Sequence, residues 1–252
     1  MMELNRQQLL TAFDRCRARF REFGRGEVIL LVAALVVLLG VFCFIELADA
    51  VREGETQTVD DWILRSLRRA DDPEVPVGPD WLRGTGLDVT SLGSPAVLSL
   101  VVFAVIGLMW LQRQYQVVVL TVLATSSGLL VAAALKYSIE RDRPTVVPHL
   151  REVATPSFPS GHTMLAAIVY MTLGILLTHV VEGRAAKLYC LAWAMLLMFL
   201  VGISRVYLGV HYPTDVLAGW IAGVAWALAC WVAVRYARSK MIRNTPGKMT
   251  ND

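Results

Sequence analysis

Six ionisable residues in the second half of the chain have the chemistry to handle a phosphate: Lys136, Arg143, His162, Arg205, His211 and Asp215. Each stands at the edge of a long apolar run or in the loop just beyond one. An arginine or lysine deep in a bilayer costs on the order of 2.5–3.5 kcal/mol, so charge at that depth is usually paired or functional. Any one of these side chains could simply snorkel its head to the lipid headgroups. Three fixed cations at one level with two histidines and an aspartate are another matter, because like charges repel unless an anion sits among them. Phosphate is the natural guest: arginine grips its oxygens with a planar fork, and lysine acts as a point charge.

The local sequence supplies the rest of such a site. In "PSGH" (159–162), Ser160 suits an N-cap and Gly161 leaves room for close approach. The helix opening at His162 therefore offers free N–H groups and a positive dipole end. Pro213 suits a first helical turn, which places Asp215 where that dipole favours a carboxylate. From there Asp215 can reach back to hold one ring nitrogen of His211, leaving the other free to attack. Two imidazoles over one phosphate suggest a division of labour. One attacks phosphorus and forms a phospho-histidine; the other protonates the departing oxygen and then activates water. The residues alone leave open which histidine attacks, although the neighbouring carboxylate favours His211. No carboxylate cluster accompanies them, so neither a metal nor another cofactor is expected.

These groups can share one depth only if the chain crosses a membrane repeatedly. The 252 residues are 56% hydrophobic with a mean hydropathy of +0.53, above the roughly 45–50% apolar content of soluble domains. The excess is concentrated in runs near the 20 or so residues that span the hydrocarbon. Six candidates stand out, at about 28–48, 95–112, 117–137, 162–181, 188–207 and 214–235. "LADA" (47–50) resembles a signal-peptidase site, but the preceding apolar stretch is too long for a signal core and follows a polar segment. The first run is therefore read as an uncleaved span. The expected fold is all-α: a polytopic membrane protein of six transmembrane helices with additional interfacial amphipathic helices.

Lysine and arginine set the sidedness. Arg6, Arg15, Arg17, Arg19, Arg21 and Arg25 precede the first span, Arg235, Arg238, Lys240, Arg243 and Lys248 follow the last, and Arg184 and Lys187 lie in the 182–187 turn. Six spans put all three groups on one side, the cytoplasm. The acid-rich segment 49–94 and all six candidate residues then face the periplasm. The organisation expected is a cytoplasmic amphipathic segment 1–27, a membrane domain 28–235 with its core at 90–235, and a basic cytoplasmic tail 236–252. "LLTAFDRCRARFREF" (9–23) and "VDDWILRSLRR" (59–69) read as helices lying in the headgroup plane, the second with Val59, Trp62, Ile63 and Leu67 on its apolar face. Packing of either helix on another subunit is the alternative.

Small residues at four-residue spacing predict close helix contacts, at Gly219 and Gly223 with Ala218, Ala222 and Ala225, and at Ala124, Gly128 and Ala132. Cys16, Cys43, Cys190 and Cys230 show no paired spacing and read as packing residues. His149 reads as a loop residue and His179 as structural. Glu140, Arg141 and Asp142 either brace Arg143 or are solvated. A net charge of +3 gives no support for a nucleic-acid partner; lipids are the expected partners.

The motifs themselves form a pattern. "KYSIERDRP" (136–144), "PSGH" (159–162) and "SRVYLGVHYPTD" (204–215) together resemble the three-part signature of the type 2 phosphatidic acid phosphatase superfamily, in its membrane-bound branch. The resemblance spans roughly residues 90–235. It implies His211 as nucleophile oriented by Asp215, His162 as general acid, and Lys136, Arg143, Ser160, Gly161 and Arg205 as phosphate ligands. The function expected is metal-independent removal of phosphate from a membrane lipid in a bacterial inner membrane. The candidate substrates are undecaprenyl pyrophosphate, phosphatidylglycerol phosphate and phosphatidic acid, with a slight preference for a polyprenyl pyrophosphate. The rival readings are a phosphotransferase using the same intermediate and a lipid carrier without chemistry, for which the paired histidines would be superfluous.

Overall fold

A computed structural model describes residues 25–151 and 155–244. The predicted amphipathic helix at 9–23, with Cys16, and the end of the basic tail lie outside the described residues. Eight helices are present among those described: α1 Arg25–Arg52, α2 Gln57–Ser66, α3 Asp80–Ser91, α4 Pro95–Leu111, α5 Tyr115–Ser138, α6 Gly161–Val180, α7 Arg184–Tyr207 and α8 Pro213–Asn244. Each predicted span falls on one of them. Five (α1, α5, α6, α7 and α8) are individually long and apolar enough to cross a membrane. The sixth candidate is the pair α3–α4, whose two helices are joined through a 50° bend and together are apolar enough to count as one broken span. Pro95 opens α4 and Ser94 caps it, accepting the Val97 N–H at 3.3 Å, so the bend falls where the backbone lacks a donor in any case.

α6 is the central helix. In its apolar window 61% of residues are buried, against 6% for α1. Small residues allow this, because lipid supplies no hydrophobic drive between helices and contact must come from close packing. A β-carbon on Gly223 would lie 2.5 Å from Ala167 Cβ and 2.7 Å from the Met164 carbonyl oxygen. One on Gly128 would meet Ile168 at 2.9 Å. Both ridges predicted from spacing therefore seat neighbours against α6. Leu98, Ala166, Tyr170, Leu173, Ala194, Met198 and Val201 form the main core at this centre. Leu35, Leu38, Leu39 and Phe42 of α1, and Leu100 and Phe103 of α4, point outward, as lipid-facing surfaces require. Cys43, Cys190 and Cys230 are unpaired and partly buried.

The C-termini of α5 and α7 and the N-termini of α6 and α8 meet at one end of the bundle. The Ser160 N–H donates to the Asp215 carbonyl at 3.0 Å, and the Leu150 N–H to the Leu208 carbonyl at 3.1 Å. Arg68 donates to the Tyr207 carbonyl at 3.1 Å, satisfying one of the free acceptors that close α7. α3, which the hydropathy pattern does not reveal, packs through Gly86 against Tyr207. α2 forms where its amphipathic pattern predicts, and the opposite face packs inward. Val59 and Trp62 are exposed, while Leu64 and Asp60 are fully buried. It packs on this same chain, near the start of α8.

Candidate active site

The end of α8 nearest the site is held by half of a capping box. Tyr212 precedes the first turn, and its N–H donates to Asp215 Oδ2 at 2.9 Å, as an acidic third-position residue does in a capping box. This fixes the Asp215 carboxylate, which is fully buried. His211 Nδ1 then lies 3.4 Å from Asp215 Oδ2 and 3.3 Å from Ser157 Oγ. Ser157 also donates to Asp215 Oδ2. The other ring nitrogen of His211, Nε2, turns toward Arg143 Nη1 at 3.4 Å. One nitrogen of His211 is thus held by the acid and the other faces the cations, as the four-residue spacing predicts. Burial pushes the imidazole down to about 4, with Asp215 pulling in the opposite sense, so the ring is neutral and its lone pair available at neutral pH.

The cations are held by the ends of three different segments. Arg143 donates to the Thr155 carbonyl at 2.7 Å, to Thr155 Oγ1 at 3.2 Å and to the Val210 carbonyl. Arg205 is 1% exposed, too deep to be snorkelling. It donates to Thr90 Oγ1 of α3 at 3.0 Å, while its Nε is buried without a partner. Lys136 closes α5, and a β-carbon on Gly161 would sit 3.5 Å from its Nζ. His162 opens α6 with its Nε2 buried and unpartnered, within electrostatic range of Arg205, His211, Lys136 and Arg151. Ser160 occupies the cap position of α6, but its side chain makes no capping bond. It accepts instead from Thr163 Oγ1 at 2.8 Å.

All eight residues singled out in the sequence therefore gather at one end of the bundle. The arrangement can neutralise an oxyanion and place two imidazoles beside it. Among the described residues no three His, Cys, Asp or Glu side chains converge as a metal site would need.

Arg141 corrects the sequence reading. It neither braces Arg143 nor sits in solvent. It forms an ion pair with Asp215 Oδ1 at 2.7 Å and another with Asp60 Oδ2 at 2.8 Å. Burial opposes its charge, yet Asp215 and Asp60 together raise its pKa above the ordinary arginine value. Thr90, Ser157, Thr155, Asp60 and the exposed Arg151 were also missed. Only Ser157 had a signal, its place beside "PSGH"; the others read as ordinary loop or surface residues. His149 makes a contact within its own loop, 2.6 Å to the Pro144 carbonyl.

Similarity to known proteins covers the same residues. Residues 114–239 match the model of the PAP2 superfamily, a stretch that contains every one of the eight. Phosphatidylglycerophosphatase B of Bacillus subtilis (strain 168) is 34% identical over 183 residues, covering 72% of this chain and 86% of that protein. Lipid A 1-phosphatase of Rhizobium etli is 33% identical over 125 residues, covering 46% of this chain and 48% of that protein. The crystal structure of a transmembrane PAP2-type phosphatidylglycerolphosphate phosphatase from Bacillus subtilis superposes with a TM-score of 0.71 at 28% identity, over 83% of this chain and 98% of that one. With half of its length on the family model and a PAP2-type neighbour of the same fold, the chain belongs to the PAP2 superfamily, in its membrane-bound lipid phosphatase branch.

Proposed function

We propose that this protein hydrolyses the terminal phosphate of a membrane lipid, a phosphomonoester or pyrophosphate, through a phospho-histidine on His211. The observation that carries the reading is that two buried nitrogens, His162 Nε2 and Arg205 Nε, have no partner, in side chains within electrostatic range of each other and of Lys136, Arg143 and His211. Buried donors are rarely left unsatisfied, and an oxyanion satisfies these.

In the proposed reaction Lys136, Arg143, Arg205 and the start of α6 at Ser160 and Gly161 hold the phosphoryl oxygens. His211 Nε2 attacks phosphorus while Asp215 stabilises the charge that grows on the ring. As the P–O bond to the lipid breaks, His162 gives its proton to the leaving oxygen; the bound phosphate's negative charge holds that proton on His162 beforehand. His162 then takes a proton from water, which attacks the phospho-histidine and releases inorganic phosphate, returning His211 to its neutral form.

The basic tails and the Arg184/Lys187 turn lie at the end of the sequence pattern opposite to the site, which supports cytoplasmic termini and a periplasmic site in a bacterial inner membrane. Phosphatidylglycerol phosphate becomes the favoured substrate over undecaprenyl pyrophosphate and phosphatidic acid, because a relative 34% identical and aligned over 86% of its length is named for it, whereas one named for undecaprenyl diphosphate is 29% identical over 78% of its length. The test is phosphate release by the purified protein from these three lipids in mixed micelles with chelator present. Turnover that survives chelation and disappears in His211→Ala is expected. Activity restored only by a divalent metal, or no release from any lipid, refutes the proposal.

A further inference from the structure

A charged chain continues behind Asp215, built partly from residues outside the span matched by the family model. Asp60 lies on α2, fully buried, as is Asp215; the Arg141 side chain between them is 10% exposed. Arg141 uses its two terminal nitrogens separately, Nη1 on Asp215 at 2.7 Å and Nη2 on Asp60 at 2.8 Å. Gln57 adds a contact to Nη2 at 3.3 Å, and the guanidinium stacks over the Tyr212 ring at 4.0 Å. Asp60 also reaches the start of α8, accepting the Thr214 N–H at 3.1 Å and the Thr214 hydroxyl at 2.6 Å.

The charges alternate: carboxylate, guanidinium, carboxylate, imidazole. The alternation has a consequence for His211. Arg141 paired with Asp215 alone would neutralise the carboxylate just where a positive ring has to be stabilised. Asp60 takes up that excess, so the trio Asp60–Arg141–Asp215 carries one net negative charge. That charge is matched when His211 becomes cationic on phosphorylation. The fork also fixes the rotation of the Asp215 carboxylate, and hence the direction of His211 Nε2. The planar guanidinium spans the two carboxylates with one nitrogen on each, which a lysine point charge cannot do with the same fixed geometry.

We propose that Asp60 and Arg141 are positioning residues of the reaction, holding Asp215 both oriented and negatively charged so that it can support the cation formed on His211. The inference rests on the proposed role of His211. It assigns α2, otherwise an amphipathic surface helix, a part in catalysis at a distance.

The experiment is Asp60→Asn in the full-length protein, assayed for lipid phosphate hydrolysis, with inorganic phosphate binding measured in parallel. The expected result is a kcat lower by about 10- to 100-fold, with KM and phosphate affinity close to wild type. In an Asp215→Asn background the same change should cause little further loss, because its effect passes through Asp215. Wild-type kcat in D60N, or an equal loss in both backgrounds, overturns the inference. Should D60N fail to fold, Arg141→Lys carries the test, since it keeps a charge beside Asp215 but cannot fork to both carboxylates. The same loss of kcat at unchanged KM is then expected, and wild-type kcat overturns the idea. If wild type itself releases no phosphate, or His211→Ala stays active, it is the role of His211 that fails. An active wild type with inert H211A and unimpaired D60N refutes the positioning role alone.

Discussion

Replacing Asp215 by Asn tests the electrostatic logic of the site most directly. Every polar neighbour of this carboxylate is a donor: Arg141 Nη1 at 2.7 Å, the Tyr212 N–H at 2.9 Å, the Ser157 hydroxyl, and His211 Nδ1 at 3.4 Å. Asparagine has one acceptor oxygen and an NH₂ group, so it must present donors to at least part of that set. The imidazole loses its anionic partner, and Arg141 loses half of its compensation. At 3.4 Å and an effective dielectric of about 20, a carboxylate stabilises an imidazolium by about 5 kcal/mol. If the transition state collects most of that, kcat falls by about 10³-fold or more. KM should change far less, because the phosphate is held by Lys136, Arg143 and Arg205. The assay is steady-state phosphate release from lipid in mixed micelles, with phosphate binding as the check on an intact fold. A folded variant whose kcat stays within about tenfold of wild type would show that the cation on His211 does not depend on Asp215, and the two-histidine mechanism would have to be redrawn.

Other consequences are as direct. His162→Ala should cost about 10²–10⁴-fold on a lipid phosphate, whose alkoxide needs a proton, and much less on p-nitrophenyl phosphate, whose leaving group does not; equal losses on both would remove His162 from the role of acid. His211 is lowered by burial from about 6.5 to about 4. Between these values the unfolded chain binds the proton that the folded site refuses, so stability is complete above about pH 6.5 and declines as pH falls toward about 4. Melting in detergent across that range should show a shallower decline in His211→Asn than in wild type, and identical slopes would contradict the burial argument. Gly223→Ala puts a methyl 2.5 Å from Ala167 Cβ and 2.7 Å from the Met164 carbonyl. It should destabilise the α6–α8 contact by about 1–3 kcal/mol, read as a lowered Tm; an unchanged Tm would mean that the helices part freely there.

The crossings were legible because the membrane is a simple solvent. Each run must satisfy its own backbone, so a stretch of about 20 apolar residues is already a helix. α4 and its bend were half legible: Pro95 suits the first turn and marks the start of the run at 95, but α3 before it is too short and too polar to betray itself. The motif residues could be placed at helix ends by counting, and the four-residue step from His211 to Asp215 translates directly into a contact. Asp60 was different. It stood among the ten acids of segment 49–94, and nothing in "VDDWILRSL" distinguishes a buried carboxylate from a neighbour such as Asp61. The periodicity of that stretch marked Val59 and Trp62 as a lipid-facing stripe, which is exposed, and carried no sign of Asp60 and Leu64 as the pair buried behind it.

The amino-acid order by itself therefore determined which long apolar segments are helices, which end of each carries charge, and that cations, imidazoles and a carboxylate share one level. These follow from local rules of helix period, capping and transfer to lipid. Tertiary structure alone decided that Arg141 turns away from Arg143 to join Asp60 and Asp215, that Thr90 of α3 holds Arg205, and that α2 packs beside the start of α8. Asp60 and Asp215 are 155 positions apart in the sequence. Whether a charged group at such a separation is paired or solvated depends on how the helices pack, and no window of neighbouring residues contains that information.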